Sequence, residues 1–153
     1  MVYYSYEEFD KDIRDLAKKI DQNFKPDAFV AIARGGLTAG HFLATIFKSR
    51  NLFALNSVHY DDTKKLNEVE IFNVPDLSSY KRVVLVDDMI DSGESMVEIY
   101  KVLTKKYPKI EFKIATLFFK ERALIKPDFT VKEANEWIEF FWENDTFESK
   151  IKF

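Results

Sequence analysis

The densest chemistry in the chain lies in Val83-Val84-Leu85-Val86-Asp87-Asp88-Met89-Ile90-Asp91-Ser92-Gly93-Glu94-Ser95. Four consecutive apolar residues fit a strand buried on both faces. In an open α/β sheet, ligands bind beyond the carboxyl ends of such strands, and here two carboxylates stand at that end. Adjacent carboxylates suit a sugar diol, because ionised acceptors bond hydroxyls more strongly than neutral ones. The loop after them suits a phosphate. Its hydroxyls and N–H groups lie at the positive end of a following helix, and Gly93 permits close backbone approach. One segment can therefore hold a ribose through Asp87 and Asp88, and a 5′-phosphate through Ser92, Gly93, Glu94 and Ser95. Each piece alone also fits an ordinary turn and N-cap. Their common register behind one apolar strand favours a site.

A second candidate, Ala33-Arg34-Gly35-Gly36-Leu37, follows another apolar run, Ala28-Phe29-Val30-Ala31-Ile32-Ala33. Two glycines let backbone N–H groups turn toward an anion, and Arg34 supplies a charge or a brace. A plain strand-to-helix turn with a surface arginine is the alternative. Other chemistries are excluded or disfavoured. The chain has no cysteine, which removes disulfides, thiolate nucleophiles and Cys-type zinc sites. Its two histidines, His41 and His59, lie far apart and disfavour a zinc site. His41 reads as structural or surface, and His59 as a loop-base residue. Magnesium bridging substrate oxygens and a carboxylate is the natural metal, since it rarely needs an all-protein cage. No Gly-x-x-x-x-Gly-Lys-Ser/Thr loop is present, so a P-loop nucleotide hydrolase is not supported. A net charge of -3 gives no basic footprint for nucleic acid, yet N–H cradles and a metal can still hold phosphate on an acidic protein.

These residues need elements to position them. Ser5 with Glu8 reads as a capping box, and Phe9, Ile13, Leu16 and Ile20 recur at helical spacing, so a first helix should reach about Asn23 before Lys25-Pro26. A strand over 28–33, a helix over 37–47, a strand over 52–60, a strand over 83–86, a helix over 95–106 and a strand over 110–119 follow. Residues 61–68 are polar and without period, which predicts a mobile loop, with Val69-Glu70-Ile71 pairing after it. Strands alternating with helices predict an α/β fold, a mainly parallel twisted sheet flanked by helices. From about Glu121 the pattern degrades into an aromatic-rich tail. The expectation is one domain, with a core over about 1–120 and a small C-terminal hood over about 121–153. Apolar residues at 46% and charged residues at 32% describe a globular protein. The absence of a signal-like start or a membrane-length apolar run predicts a cytoplasmic location.

The pattern over 83–95 resembles that of the type I phosphoribosyltransferases: an apolar strand, two acidic residues, and a loop ending Gly-x-Ser/Thr. The resemblance implies that Asp87 and Asp88 contact the ribose hydroxyls of phosphoribosyl pyrophosphate, while the loop from Asp91 to Ser95 wraps its 5′-phosphate. In the purine-specific members the acid opening this loop lies near N7 of the base, which makes Asp91 the proton-transfer residue. Arg34, Gly35 and Gly36 are similar to the family's pyrophosphate loop, where a non-proline cis peptide would fall at Ala33-Arg34. The tail Trp137-Ile138-Glu139-Phe140-Phe141-Trp142-Glu143 resembles the Trp-Ile-x-x-Pro-Trp-acidic segment of the xanthine-guanine and hypoxanthine enzymes. Phe141 stands where proline is common, and Lys120-Glu121 replaces a Lys-Pro pair.

By that likeness Lys120, Trp137 and Ile138 would bind the base. A lysine donates only, and so prefers an oxo to an amino group. Asp88 and Glu143 would hold Mg2+, and residues 57–72 would close as a lid against water. The expected reaction joins N9 of a 6-oxopurine (guanine, xanthine or hypoxanthine) to phosphoribosyl pyrophosphate in purine salvage. The expected assembly is a homodimer or homotetramer, with no nucleic-acid or membrane partner. An adenine or pyrimidine substrate, or a non-catalytic sensor of the same fold, are the alternatives.

Overall fold

The computed structural model describes residues 1–60 and 68–143. Helix α1 (Tyr6–Asn23) starts on the predicted cap. The Ser5 hydroxyl accepts from the Glu8 N–H at 3.2 Å, and the Glu8 carboxylate accepts from the Ser5 N–H at 3.0 Å. Its buried stripe of Phe9, Asp12, Ile13, Leu16, Ala17 and Ile20 gives the helix one face to lay on the sheet. There follow β2 (Ala28–Ala33), α2 (Gly36–Ile46), β3 (Leu52–Tyr60), β4 (Glu68–Phe72), β5 (Arg82–Ile90), α3 (Glu94–Lys106), β6 (Glu111–Phe119) and β7 (Phe129–Glu133). They form a six-stranded sheet in the order β4-β3-β2-β5-β6-β7. Every neighbouring pair is parallel except β3 with β4.

Alternate residues of the central strands feed two cores. Phe29, Val84, Val86, Ala115 and Leu117 pack with α1 and α2 on one face. Val30, Ile32, Val83, Leu85 and Ile114 pack with Met96, Ile99 and Leu103 of α3 on the other. Burial on both faces is why these strands read as unbroken apolar runs. The chain leaves β2 toward β3 on one side and leaves β5 toward β6 on the other, so the strand order reverses between β2 and β5. That reversal is where open α/β sheets leave a crevice. The β2–β5 register runs from Ala28↔Val83 to Ala31↔Val86 and stops there. β5 continues beside β6 as far as Ile90↔Phe119.

Two features differ from the sequence reading. Asp87 and Asp88 lie within β5 rather than after it, because β6 keeps pairing with β5 past Val86 (Asp87↔Thr116). The tail also forms more structure than its pattern suggests. β7 adds a parallel sixth strand, and β8 (Ile138–Phe140) pairs in parallel with β1 (Val2–Tyr4), Tyr4 opposite Phe140. Three-residue strands are too short to carry a period. A 3-10 turn, Phe141–Glu143, follows β8. The antiparallel hairpin of β3 and β4 brackets residues 61–67, so most of the predicted mobile loop lies outside the described residues, while Glu68 itself opens β4. Among the described residues no helix is long and apolar enough to cross a membrane.

The β1–β8 hood is fastened by a buried polar contact. The Tyr4 hydroxyl donates to Asp12 Oδ2 at 2.8 Å, and Lys132 Nζ lies 3.0 Å from the same oxygen. Burial, with the Asp12 acceptor, holds the Tyr4 hydroxyl far above the usual phenol range. The Tyr4 ring meets Phe118, Phe140 and Trp142 edge-on, with centroids at 4.9, 5.8 and 6.2 Å. Tyr4→Phe removes one hydrogen bond to a charged group and leaves the ring in place. It should cost about 1.5–3 kcal/mol, read as a lower urea midpoint at unchanged slope.

Candidate active site

The crevice between β2 and β5 becomes a cavity of about 740 Å³. Its lining includes Ile32, Ala33, Arg34, Gly35, Leu37 and Thr38 from the end of β2 and start of α2. Ser57 of β3, Asp87 and Asp88 of β5, Ser95 of α3, and Trp142 with Glu143 of the hood complete it. The parting of two strands after Ala31↔Val86 thus gathers the Arg34-Gly35 turn, both acids and the head of α3 around one space. The Ala33-Arg34 peptide is cis, at the position the resemblance indicates.

The glycines belong to this geometry. A Cβ on Gly35 would lie 2.3 Å from Asp88 Oδ2, and one on Gly36 would lie 2.3 Å from the Val86 carbonyl oxygen. Only a bare backbone fits against the end of β5 here. Gly93 takes φ +86° as the N-cap of α3, with Leu124 and Ile125 backbone nitrogens where a Cβ would stand. The Leu124 N–H donates to the Ser92 carbonyl at 2.8 Å and docks the turn after β6 onto the 91–95 loop. Within that loop the Glu94 N–H donates to Ser92 Oγ at 3.3 Å. Glu94 also contacts His59 Nε2 at 3.0 Å, which ties β3 to the loop.

Electrostatics sharpen the picture. Burial pushes the Asp87 carboxyl well above the ordinary carboxylate range, and the neighbouring Asp88 charge adds to this. Burial raises Asp88 as well, against hydrogen bonds that favour its charged form. Asp87 Oδ1 accepts from the Asp88 N–H at 2.9 Å, and Asp88 Oδ1 accepts from the Met89 N–H at 2.6 Å. Glu143 is raised by burial and then by the Asp88 charge, with Arg34 opposing. Two acids and a hood glutamate therefore feel one another across the same space, an arrangement that calls for cations and hydroxyls.

A second cluster stands at the far end of β5. Lys120 Nζ lies 3.0 Å and Arg122 Nη2 2.8 Å from Asp91 Oδ1, and the Lys120 N–H donates to the Ile90 carbonyl at 2.9 Å. The structure thus brings together Lys120 and Asp91, which the likeness named for separate roles, and adds Arg122. The sequence reading did not weigh Arg122, although it lies two residues beyond Lys120. Arg34, Gly35, Asp87, Asp88, Ser95 and Glu143 share the cavity wall. Gly36, Ser92, Gly93 and Glu94 support the two loops. Trp137 is 69% exposed and Ile138 is buried in the core, and neither lines the cavity. Trp142 does, stacked on Phe140 at 4.6 Å. Ile32 and Thr38 were not singled out, Ser57 only as the start of the 57–72 lid, and Leu37 only as the end of the Arg34-Gly35-Gly36 motif. Ile32 sits near the end of β2, Leu37 and Thr38 on the first turn of α2, and Ser57 within β3 just past its last pair with β2.

Comparison with known proteins agrees with this geometry. Residues 3–149 match the phosphoribosyl transferase domain family. The Helicobacter pylori xanthine-guanine-hypoxanthine phosphoribosyltransferase structure is 40% identical, with a TM-score of 0.88 over 93% of each chain. A purine phosphoribosyltransferase from Pyrococcus horikoshii is 31% identical, with a TM-score of 0.79 over 92% of each chain. The xanthine-guanine phosphoribosyltransferase of Idiomarina loihiensis is 25% identical over 144 residues, 92% of this chain and 86% of that protein. The resemblance drawn from residues 83–95 is borne out: this chain is an enzyme of the phosphoribosyltransferase family.

Proposed function

We propose that the enzyme transfers the 5-phosphoribosyl group of phosphoribosyl pyrophosphate to N9 of a 6-oxopurine, releasing pyrophosphate and serving purine salvage. The observation that carries the choice of base is the Asp91–Lys120 pair at 3.0 Å. It offers a donor-only ammonium beside a carboxylate acceptor, which suits the O6 and N7–H edge of an oxopurine. The names of the Helicobacter and Idiomarina relatives support the same reading.

In this reading the C1–O bond to pyrophosphate breaks as the C1–N9 bond forms, and the electron pair leaves with pyrophosphate. Asp87 and Asp88 hold the ribose hydroxyls and offset the positive character that develops on the ring. The N–H groups of the Arg34-Gly35 turn and the guanidinium take the charge of the leaving group. The 91–95 loop holds the 5′-phosphate at the head of α3, and Asp91 takes the proton from the base. Asp88 and Glu143 share a cavity wall and a field. Mg2+ rarely needs an all-protein cage, and these two carboxylates with substrate oxygens would suffice to hold it. Bound there, Mg2+ would neutralise pyrophosphate charge.

Two outcomes test the assignment. Adenine would set its amino donor against the Lys120 donor, a mismatch costing about 1–3 kcal/mol. The wild type should therefore prefer hypoxanthine by at least about tenfold, and Lys120→Met should lose that preference by weakening the oxopurine. Competition kinetics with both bases would show it, and a wild type indifferent to the two bases would remove the 6-oxopurine assignment.

The second outcome concerns the acids. A carboxyl whose native pKa lies above its unfolded value, about 3.9 for Asp, contributes stability that is present below the unfolded value. That stability is lost as pH rises through the native range. The wild type should thus lose stability relative to Asp87→Asn as pH rises. The variant should be on the order of 1 kcal/mol more stable at pH 8, with the gain fading toward pH 4, by urea unfolding. Its kcat/KM for phosphoribosyl pyrophosphate should fall at least about tenfold. A variant that is less stable than wild type at pH 8 would mark Asp87 as structural.

A further inference from the structure

Two buried side-chain polar atoms have no hydrogen-bond partner among the described residues, Ser57 Oγ and Trp142 Nε1. Both residues line the cavity that holds Arg34, Asp87 and Asp88. An unpaired buried hydroxyl costs stability, and native proteins keep few of them. Two on one cavity wall mark a wall that a ligand completes. They differ in what they can reach. The Trp142 indole is fixed by its stack on Phe140, rings 12° apart. The Ser57 hydroxyl turns about one single bond between staggered positions, and it can donate or accept.

Position says what Ser57 would meet. The last β2–β3 pair is Ala33↔Asn56, so Ser57 stands one residue further along, level with the Arg34-Gly35 turn. On its other side it pairs with Ile71 of β4, which offers its hydroxyl no side-chain partner. A small donor beside an arginine and a turn of bare backbone N–H groups extends an anion site. We propose that Ser57 is a further substrate-binding residue, its hydroxyl donating to a diphosphate oxygen of phosphoribosyl pyrophosphate from the β3 side. The inference rests on the phosphoribosyl transfer argued above and is independent of which base is used.

Calorimetric titration of inorganic pyrophosphate with Mg2+ into the wild type and Ser57→Ala tests it. The Kd should rise about tenfold in the variant, the usual factor for one hydrogen bond to a charged oxygen. The KM for phosphoribosyl pyrophosphate should rise similarly, while the KM for the base stays unchanged. The urea midpoint should hold or rise, since the substitution deletes a buried group that has no partner. Unchanged pyrophosphate affinity, a lowered urea midpoint, or no pyrophosphate binding by the wild type would each overturn the proposal. A wild type that binds pyrophosphate but turns over no 6-oxopurine would overturn the base assignment alone, with the titration still deciding Ser57.

Discussion

The close approach of the 35–36 backbone to the end of β5 governs the rest of the structure. Side chains at both positions would collide with Asp88 or the Val86 carbonyl, so α2 can start there only because its cap, Gly35, and its first residue, Gly36, carry none. That approach places an arginine and the backbone of its turn beside a buried carboxylate pair. It also lets α2 cover one face of the sheet while α3 covers the other. The crevice is thus a product of topology, and the glycines set its width.

Chemistry at this crevice is held at some expense to the fold. Asp87 and Asp88 sit where burial and mutual repulsion oppose ionisation. Two polar atoms lining the same wall lack hydrogen-bond partners among the described residues. Such costs are tolerated where a substrate relieves them. The cluster around Asp91 is arranged differently. Asp91 is half exposed and held by two cations, so its charge is matched before any ligand arrives. The unrelieved cost is concentrated where Asp87 and Asp88 face the Arg34-Gly35 turn.

Much of this was legible in the sequence because local signals and tertiary needs agree. The capping box, the doubly buried strands and the loop over 91–95 each carry their cause in adjacent residues. The likeness singled out Lys120 and Asp91 separately, and the fold pairs them at 3.0 Å. What the sequence did not display depends on distant pairing. β1 and β8 are three residues long and stabilise each other from opposite parts of the chain. Ser57 and Thr38 look unremarkable in a linear reading and reach the cavity only through the strand register. Trp137 and Trp142 cannot be told apart by composition. One faces solvent and the other the cavity because the β8 pleat and the turn after it decide direction.

The pairing of Val2–Tyr4 with Ile138–Phe140 has a consequence for how the enzyme is made. During synthesis the first strand leaves the ribosome early and waits for a partner that is the last strand among the described residues. Tyr4 can reach Asp12 at once, yet Trp142 and Glu143 join the cavity only after every strand of the main sheet has been made. Contacts of such sequence separation form late and slowly. A nascent chain can hence build its sheet before its cavity is walled on the hood side, and a chain cut short after β7 would keep the fold's centre while lacking Trp142 and Glu143 from the cavity wall.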